Sequence, residues 1–200
     1  MGTVAERSKA MNDIRELPYP LSLKASLLLG DNKANTGNKF RFTICTAVSA
    51  LVRFCAAIML ADYWRRGATD IALNAKIAKK LARPTEFNWL SVVNTLGDAK
   101  EGVVSQAAVD IVASMDNGNS IKKIFKDLFK FRTKVAHGEM FSSDELRRRA
   151  DQVKGLYESF SWLGDWELIV DLGDSFYECA GMIPKKQCSN SRRALWRHRT

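Results

Sequence analysis

The sequence predicts an all-α fold, a helical bundle of four or more helices, followed by a short C-terminal strand and a disordered basic tail. Apolar residues recur at helical spacing over several long stretches. Helix stop signals close those stretches at Gly67, Pro84 and Gly138. The connection from Gly138 to Ser142 is short, so the helices on either side should pack antiparallel. Two hundred residues with 46% hydrophobic content suit one globular domain with an appended tail. The organisation is read as a polar segment over residues 1–16, a helical domain over 17–171 and a basic tail over 172–200.

In chain order, Pro18 and Pro20 enforce an extended entry, and Gly30 to Asn38 is rich in Gly, Asn and Lys and reads as a loop. A long helix follows from about Lys39 to Arg66 and stops at Gly67. It is apolar nearly all round between Ala47 and Ala61, which makes it the central core helix. Arg53 within it is a candidate buried arginine, for which the plainer reading is a rim salt bridge. Ala68 to Arg83 reads as a shorter helix ended by Pro84. Thr85 with Asn88 opens a segment carrying Trp89, Val92, Val93 and Leu96, and Val103 to Met115 reads as an amphipathic helix. Ser120 caps the next helix, which ends at Gly138. Ser142 and Glu145 stand at capping-box spacing before a helix that buries Leu146, Ala150, Val153, Leu156, Phe160 and Leu163 and turns Arg147, Arg148 and Arg149 largely outward. Leu168-Ile169-Val170 reads as a short strand. No internal repeat, glycine-rich phosphate loop or low-complexity tract interrupts this order.

The helix beginning near Ser120 carries the most informative pattern. Ile121, Ile124, Phe125, Leu128, Phe131 and Val135 lie on one stripe, while Lys122, Lys123, Lys126, Lys130 and Lys134 fall on the opposite side. At about 100° per residue, Arg132 projects into the apolar stripe, within about 20° of Ile121. A guanidinium keeps its charge and is costly to bury unpaired, so Arg132 must meet an acid, a carbonyl cluster, a partner chain or an anionic ligand. His137, one of two histidines, stands at the helix end before Gly138. The plain reading makes Arg132 an internal salt-bridge residue and His137 a helix-end cation favoured by the macrodipole.

A formal charge of +9 and a pI near 9.5 favour anionic partners, nucleic acid foremost. Lys185, Lys186, Arg192, Arg193, Arg197 and Arg199 crowd the end of the chain, where a disordered basic tail is expected. Cys45, Cys55, Cys179 and Cys188 form no CxxC pair, and with two histidines no zinc spacing results, so neither metal nor cofactor is expected. Cys45 and Cys55 lie in an apolar helical stretch as small buried hydrophobes. The N-terminus lacks the apolar core of a signal peptide. The most apolar run, Ile44 to Leu60, is interrupted by Arg53 and falls short of a membrane span. These features lead to the expectation of a cytoplasmic protein without membrane partners.

The segment Arg132-Thr-Lys-Val-Ala-His137 resembles the arginine-x4-to-6-histidine motif of the HEPN superfamily, all-α domains that include metal-independent ribonucleases. Other pieces, in the same order, resemble one bacterial branch: Leu17-Pro18-Tyr19-Pro20-Leu21 its opening, Leu51 to Ala57 its first long helix, Phe87-Asn88-Trp89-Leu90 its short tryptophan-bearing helix, and Phe160 to Trp166 the exit from its final helix. Two departures stand out. Thr133 follows the arginine where the family often has Asn, Asp or His, and Glu139 stands where one toxin subgroup carries a modifiable tyrosine.

The resemblance implies a toxin or antiviral defence effector, a homodimer joined through the motif helix, with two Arg132–His137 pairs facing one cleft. It implies RNA cleavage through the 2′-hydroxyl, with His137 as acid or base and Arg132 as the phosphate ligand. Thr133 would orient either group, and Lys126, Lys130 and Lys134 would supply sequence-independent RNA contacts. An antitoxin or a larger defence protein is the further partner expected. The same fold also serves as an inert dimerisation or RNA-binding module, and the residues leave both readings open.

Overall fold

The computed structural model describes residues 17, 19–29, 38–65, 67–99, 105–116, 120–171, 176–178, 185–187 and 195–198. Its fold class is all-α, a helical bundle. Seven α-helices occur among these residues: α1 (Tyr19–Leu29), α2 (Asn38–Arg65), α3 (Ile71–Leu81), α4 (Glu86–Asp98), α5 (Gln106–Asp116), α6 (Ser120–Ala136) and α7 (Ser143–Ser159). A 3-10 helix, Ser161–Asp165, leads into the strands β1 (Trp166–Asp171), β2 (Phe176–Glu178), β3 (Lys185–Gln187) and β4 (Leu195–His198).

Local chemistry sets several boundaries. The side chains of Asp70, Thr85 and Ser142 accept the backbone N–H groups of Leu73, Asn88 and Glu145, capping α3, α4 and α7. Because Asp70 is the cap, Ala68 and Thr69 stand outside α3, and that helix is shorter than its apolar pattern suggests. Gly67, with φ of 99°, supplies the left-handed conformation that follows the end of α2.

The described residues fall into two compact units, one comprising the chain up to Ala47 and from Ser142 onward, the other Val48–Phe141. In the first, α1 packs against α7, and Leu21, Ala25 and Leu28 are buried at helical spacing. The sequence reading missed α1 altogether. Leu27 is exposed and blurs the apolar stripe, and Pro20, read as part of an extended entry, occupies the first helical turn, where a missing N–H costs little. On α7, Leu146, Val153 and Leu156 are buried, whereas Ala150 is only half-buried and Arg149 folds back onto Glu145 at 2.8 Å. The buried Tyr157 hydroxyl donates to the Ala47 carbonyl of α2 at 3.1 Å.

The four strands form an antiparallel sheet in the order β3-β2-β1-β4, with Val170 opposite Tyr177, Tyr177 opposite Lys186, and Leu168 opposite Trp196. The strand expected at Leu168–Val170 lies within β1. The disorder expected of the basic tail is corrected at β2, β3 and β4, where Phe-Tyr and Leu-Trp pairs supply strand-forming residues. Lys185 and Lys186 fall on an edge strand, a usual place for lysine in a sheet. The expectations for residues 1–16, for the loop at 30–37, and for Cys179 and Cys188 lie outside the described residues.

In the second unit, α3 packs on α4, and α4, α5 and α6 pack on one another. Gly97 permits the approach of α4 to α5, since a Cβ there would lie 3.0 Å from Val112 Cγ2. Asp62 near the end of α2 accepts the Ser105 N–H at 3.1 Å, before the start of α5. Phe125, Leu128, Phe129 and Phe131 of α6 are buried. Lys39–Arg65 is long and apolar enough to cross a membrane by length and composition, which corrects the shorter span read from sequence. Yet 67% of its most apolar window is buried within the protein, as in a core helix.

Phe125 has no exposed surface, so Phe125→Ala should lower stability by about 3–5 kcal/mol in urea unfolding, through lost burial and a cavity. A loss within about 0.5 kcal/mol would mean that α6 is not packed as described.

Candidate functional site

The amphipathic pattern of α6 fixes what its residues meet. Ile121, Phe125, Leu128, Phe129, Phe131 and Val135 are buried, and Lys123, Lys126, Lys130 and Lys134 are exposed on the other side. Ser120 is the first helical residue rather than the cap. The helix ends in a Schellman motif: Glu139 N–H donates to the Lys134 carbonyl and Gly138 N–H to the Val135 carbonyl, both at 3.0 Å. Gly138 has φ of 81°, the left-handed geometry this closure requires. His137 is therefore the C-cap residue. Beyond it, Phe141 returns to Phe131, with ring centroids 4.7 Å apart, and fixes the path of the turn.

Arg132 does meet an acid. Its Nη1 lies 3.0 Å from Glu86 Oε2, with its side chain 41% exposed and that of Glu86 5% exposed. Glu86 is the first residue of α4, held by the Thr85 cap, and it stands on the buried face of that helix with Leu90 and Val93. Its other oxygen, Oε1, accepts from Arg53 Nη2 at 2.9 Å and from the buried Ser49 hydroxyl at 3.1 Å. Ser49 and Arg53 stand four residues apart on α2, hence on one face. A carboxylate withdrawn from water is costly unless paired and hydrogen-bonded; two donors on α2 hydrogen-bond this one, and Arg132 of α6 adds an ion pair. The Arg53 side chain is 50% exposed, in keeping with the rim salt bridge considered for it. All four residues belong to the unit Val48–Phe141.

The remaining site candidates are placed differently. Thr133 donates its hydroxyl to the Phe129 carbonyl at 3.1 Å, one turn back on its own helix. Lys134 pairs with Glu139 at 2.9 Å, while Lys126 and Lys130 extend into solvent. His137 is exposed, and its imidazole has no hydrogen bond or ion pair among the described residues. Arg132 and His137 are thus on one helix but not in contact. Burial pushes the Cys55 thiol far above its ordinary range, which makes it a packing group and not a nucleophile. Among the described residues, no group of three or more His, Cys, Asp or Glu is gathered to hold a metal.

Glu86 is the residue that reading the sequence overlooked. The signal was present: an acid on the apolar stripe of α4 is as anomalous as the arginine on the stripe of α6, and each anomaly explains the other. The internal acid also removes the need for a partner chain to account for Arg132 on an apolar face. The arrangement places two guanidiniums over one carboxylate, leaving an excess positive charge at a half-exposed rim, with a solvated imidazole further along α6. No protein-family model, curated protein or solved structure matches this chain.

A double-mutant cycle with Glu86→Gln and Arg132→Gln measures the pair. The expected coupling in urea unfolding is about 1 kcal/mol, held down by the exposure of the guanidinium. Strictly additive single effects would show that the two side chains do not interact.

Proposed function

We propose that this chain is a metal-independent endoribonuclease of the HEPN type, working as a homodimer and serving as a toxin or antiviral defence effector. The observation that carries the reading is that α6 and its C-cap carry a guanidinium held at the protein's rim by a buried acid and an exposed histidine whose imidazole has no partner among the described residues. Arg132 uses one nitrogen on Glu86, and a guanidinium offers five N–H donors, so others stay available for phosphate oxygens. The imidazole of His137 can both take and give a proton, the two roles that cleavage through the 2′-hydroxyl needs.

In the proposed reaction one His137 takes the 2′-OH proton, and the 2′-oxygen attacks the adjacent phosphorus. The bond from phosphorus to the 5′-oxygen breaks, and the second His137 of the dimer protonates that leaving oxygen. The products are a 2′,3′-cyclic phosphate and a 5′-hydroxyl. Arg132 offsets the charge that gathers on the non-bridging oxygens. Five helical residues set Arg132 and His137 about 140° apart, which supports a cleft assembled from two chains over one built from a single pair. Lys126 and Lys130 add salt-sensitive attraction to the RNA backbone. The buried free thiols of Cys45 and Cys55 suit a reducing cytoplasm, where an antitoxin or larger defence protein would restrain the activity.

A second reading has its own observation. Glu86 already satisfies the charge of Arg132, as a purely structural ion pair would, and an inert dimerisation or RNA-binding module needs nothing more. The two readings separate in a cleavage assay with EDTA on single-stranded and structured RNA. Because His137 is exposed and has no side-chain partner among the described residues, His137→Ala should leave melting temperature and oligomeric state unchanged. It should also slow cleavage by at least about 100-fold, while DNA is bound and left intact. Cleavage by His137→Ala at the wild-type rate would overturn the enzyme; no cleavage by either protein would favour the inert module.

A further inference from the structure

We infer that Arg53 is a second phosphate-binding residue, paired with Arg132 across Glu86 to form a two-guanidinium seat for the backbone of single-stranded RNA. The inference takes its ligand class from the proposed function but does not depend on cleavage. Its basis is the shared carboxylate. Arg53 and Arg132 pair with opposite oxygens of Glu86, at 2.9 and 3.0 Å, so only the width of one carboxylate and two ion-pair distances separates them. Two positive charges set against one negative charge leave an excess that an anion at the outer edge would offset. Arg53 engages Glu86 through Nη2 alone and has no other side-chain partner among the described residues. Its remaining donors, on a side chain 50% exposed, are available in the planar fork that suits a phosphate.

The neighbouring surface favours a nucleotide over a bare phosphate. Phe87 follows Glu86 on α4, is 43% exposed, and meets Phe129 of α6 edge-on with centroids 5.3 Å apart. Phe129 lies three residues before Arg132, one turn along the same helix. An exposed aromatic ring on the residue that follows the carboxylate shared by two guanidiniums offers stacking and charge together, the combination that binds single strands. Glu86 then has a positioning role. It sets the spacing of the two arginines before RNA arrives, so that less ordering accompanies binding.

The test is the affinity of a fluorescein-labelled, fully 2′-O-methylated oligoribonucleotide, which cannot be cut, measured by anisotropy over a range of salt. Arg53→Gln is compared with wild type and with Lys79→Gln, which removes the same charge from an exposed position on α3. Arg53→Gln should weaken binding about tenfold and lower the salt dependence by about one counterion, whereas Lys79→Gln should change affinity less than about twofold. Should Arg53→Gln fail to fold, Arg53→Lys carries the test: it keeps the charge, loses the fork, and should still bind several-fold more weakly. Loss no greater than that of Lys79→Gln, wild-type affinity in Arg53→Lys, or no binding by the wild type would each overturn the inference. Arg53-dependent binding, together with no cleavage of unmodified RNA, would overturn the ribonuclease and leave this seat standing.

Discussion

A single buried carboxylate organises the side-chain cluster that joins α2, α4 and α6. Glu86 has almost no contact with water, yet it carries a charge that Ser49, Arg53 and Arg132 together satisfy. Removing a charge from water is unfavourable by several kcal/mol, and the interior compensates only where donors are already in place. That requirement ties the start of α4 to one face of α2 and to the later turns of α6. It also places two arginine side chains at a half-exposed rim. The rest of the site follows from what α6 does after Arg132: it continues for one more turn, ends at Ala136 and closes on Gly138, with His137 as its C-cap.

Charge segregation along α6 gives the site its character. The buried side holds aromatic and aliphatic residues, the far side holds lysines, and Arg132 is the exception that reaches across to α4. The Thr133 hydroxyl donates to the Phe129 carbonyl of its own helix. Lys134 is turned toward Glu139, which leaves Lys126 and Lys130 as the freer cations of that face.

Much of this was legible in the sequence because it depends on local rules. The caps at Thr85 and Ser142, the stop at Gly138 and the burial of α6 all follow from residues within a turn or two of one another. So did the demand that Arg132 find an anion. Which anion was not legible, since the partner lies on another helix and an acid in a first helical turn is ordinarily read as serving the macrodipole. Helix α1 escaped notice because Leu27 is exposed among buried leucines and Pro20 looked like a barrier to helix. The strands after β1 escaped for a related reason: basic composition suggested a solvated tail, whereas pairing with β1 is a long-range property that composition does not record.

Guanidinium-detected NMR tests the shared carboxylate most directly. With rotation of both groups restrained by Glu86, Arg53 and Arg132 should show resolved, slowly exchanging Nη signals in the wild type, and Glu86→Gln should collapse them to the averaged signal of free arginines. Averaged signals for both residues in the wild type would contradict the account.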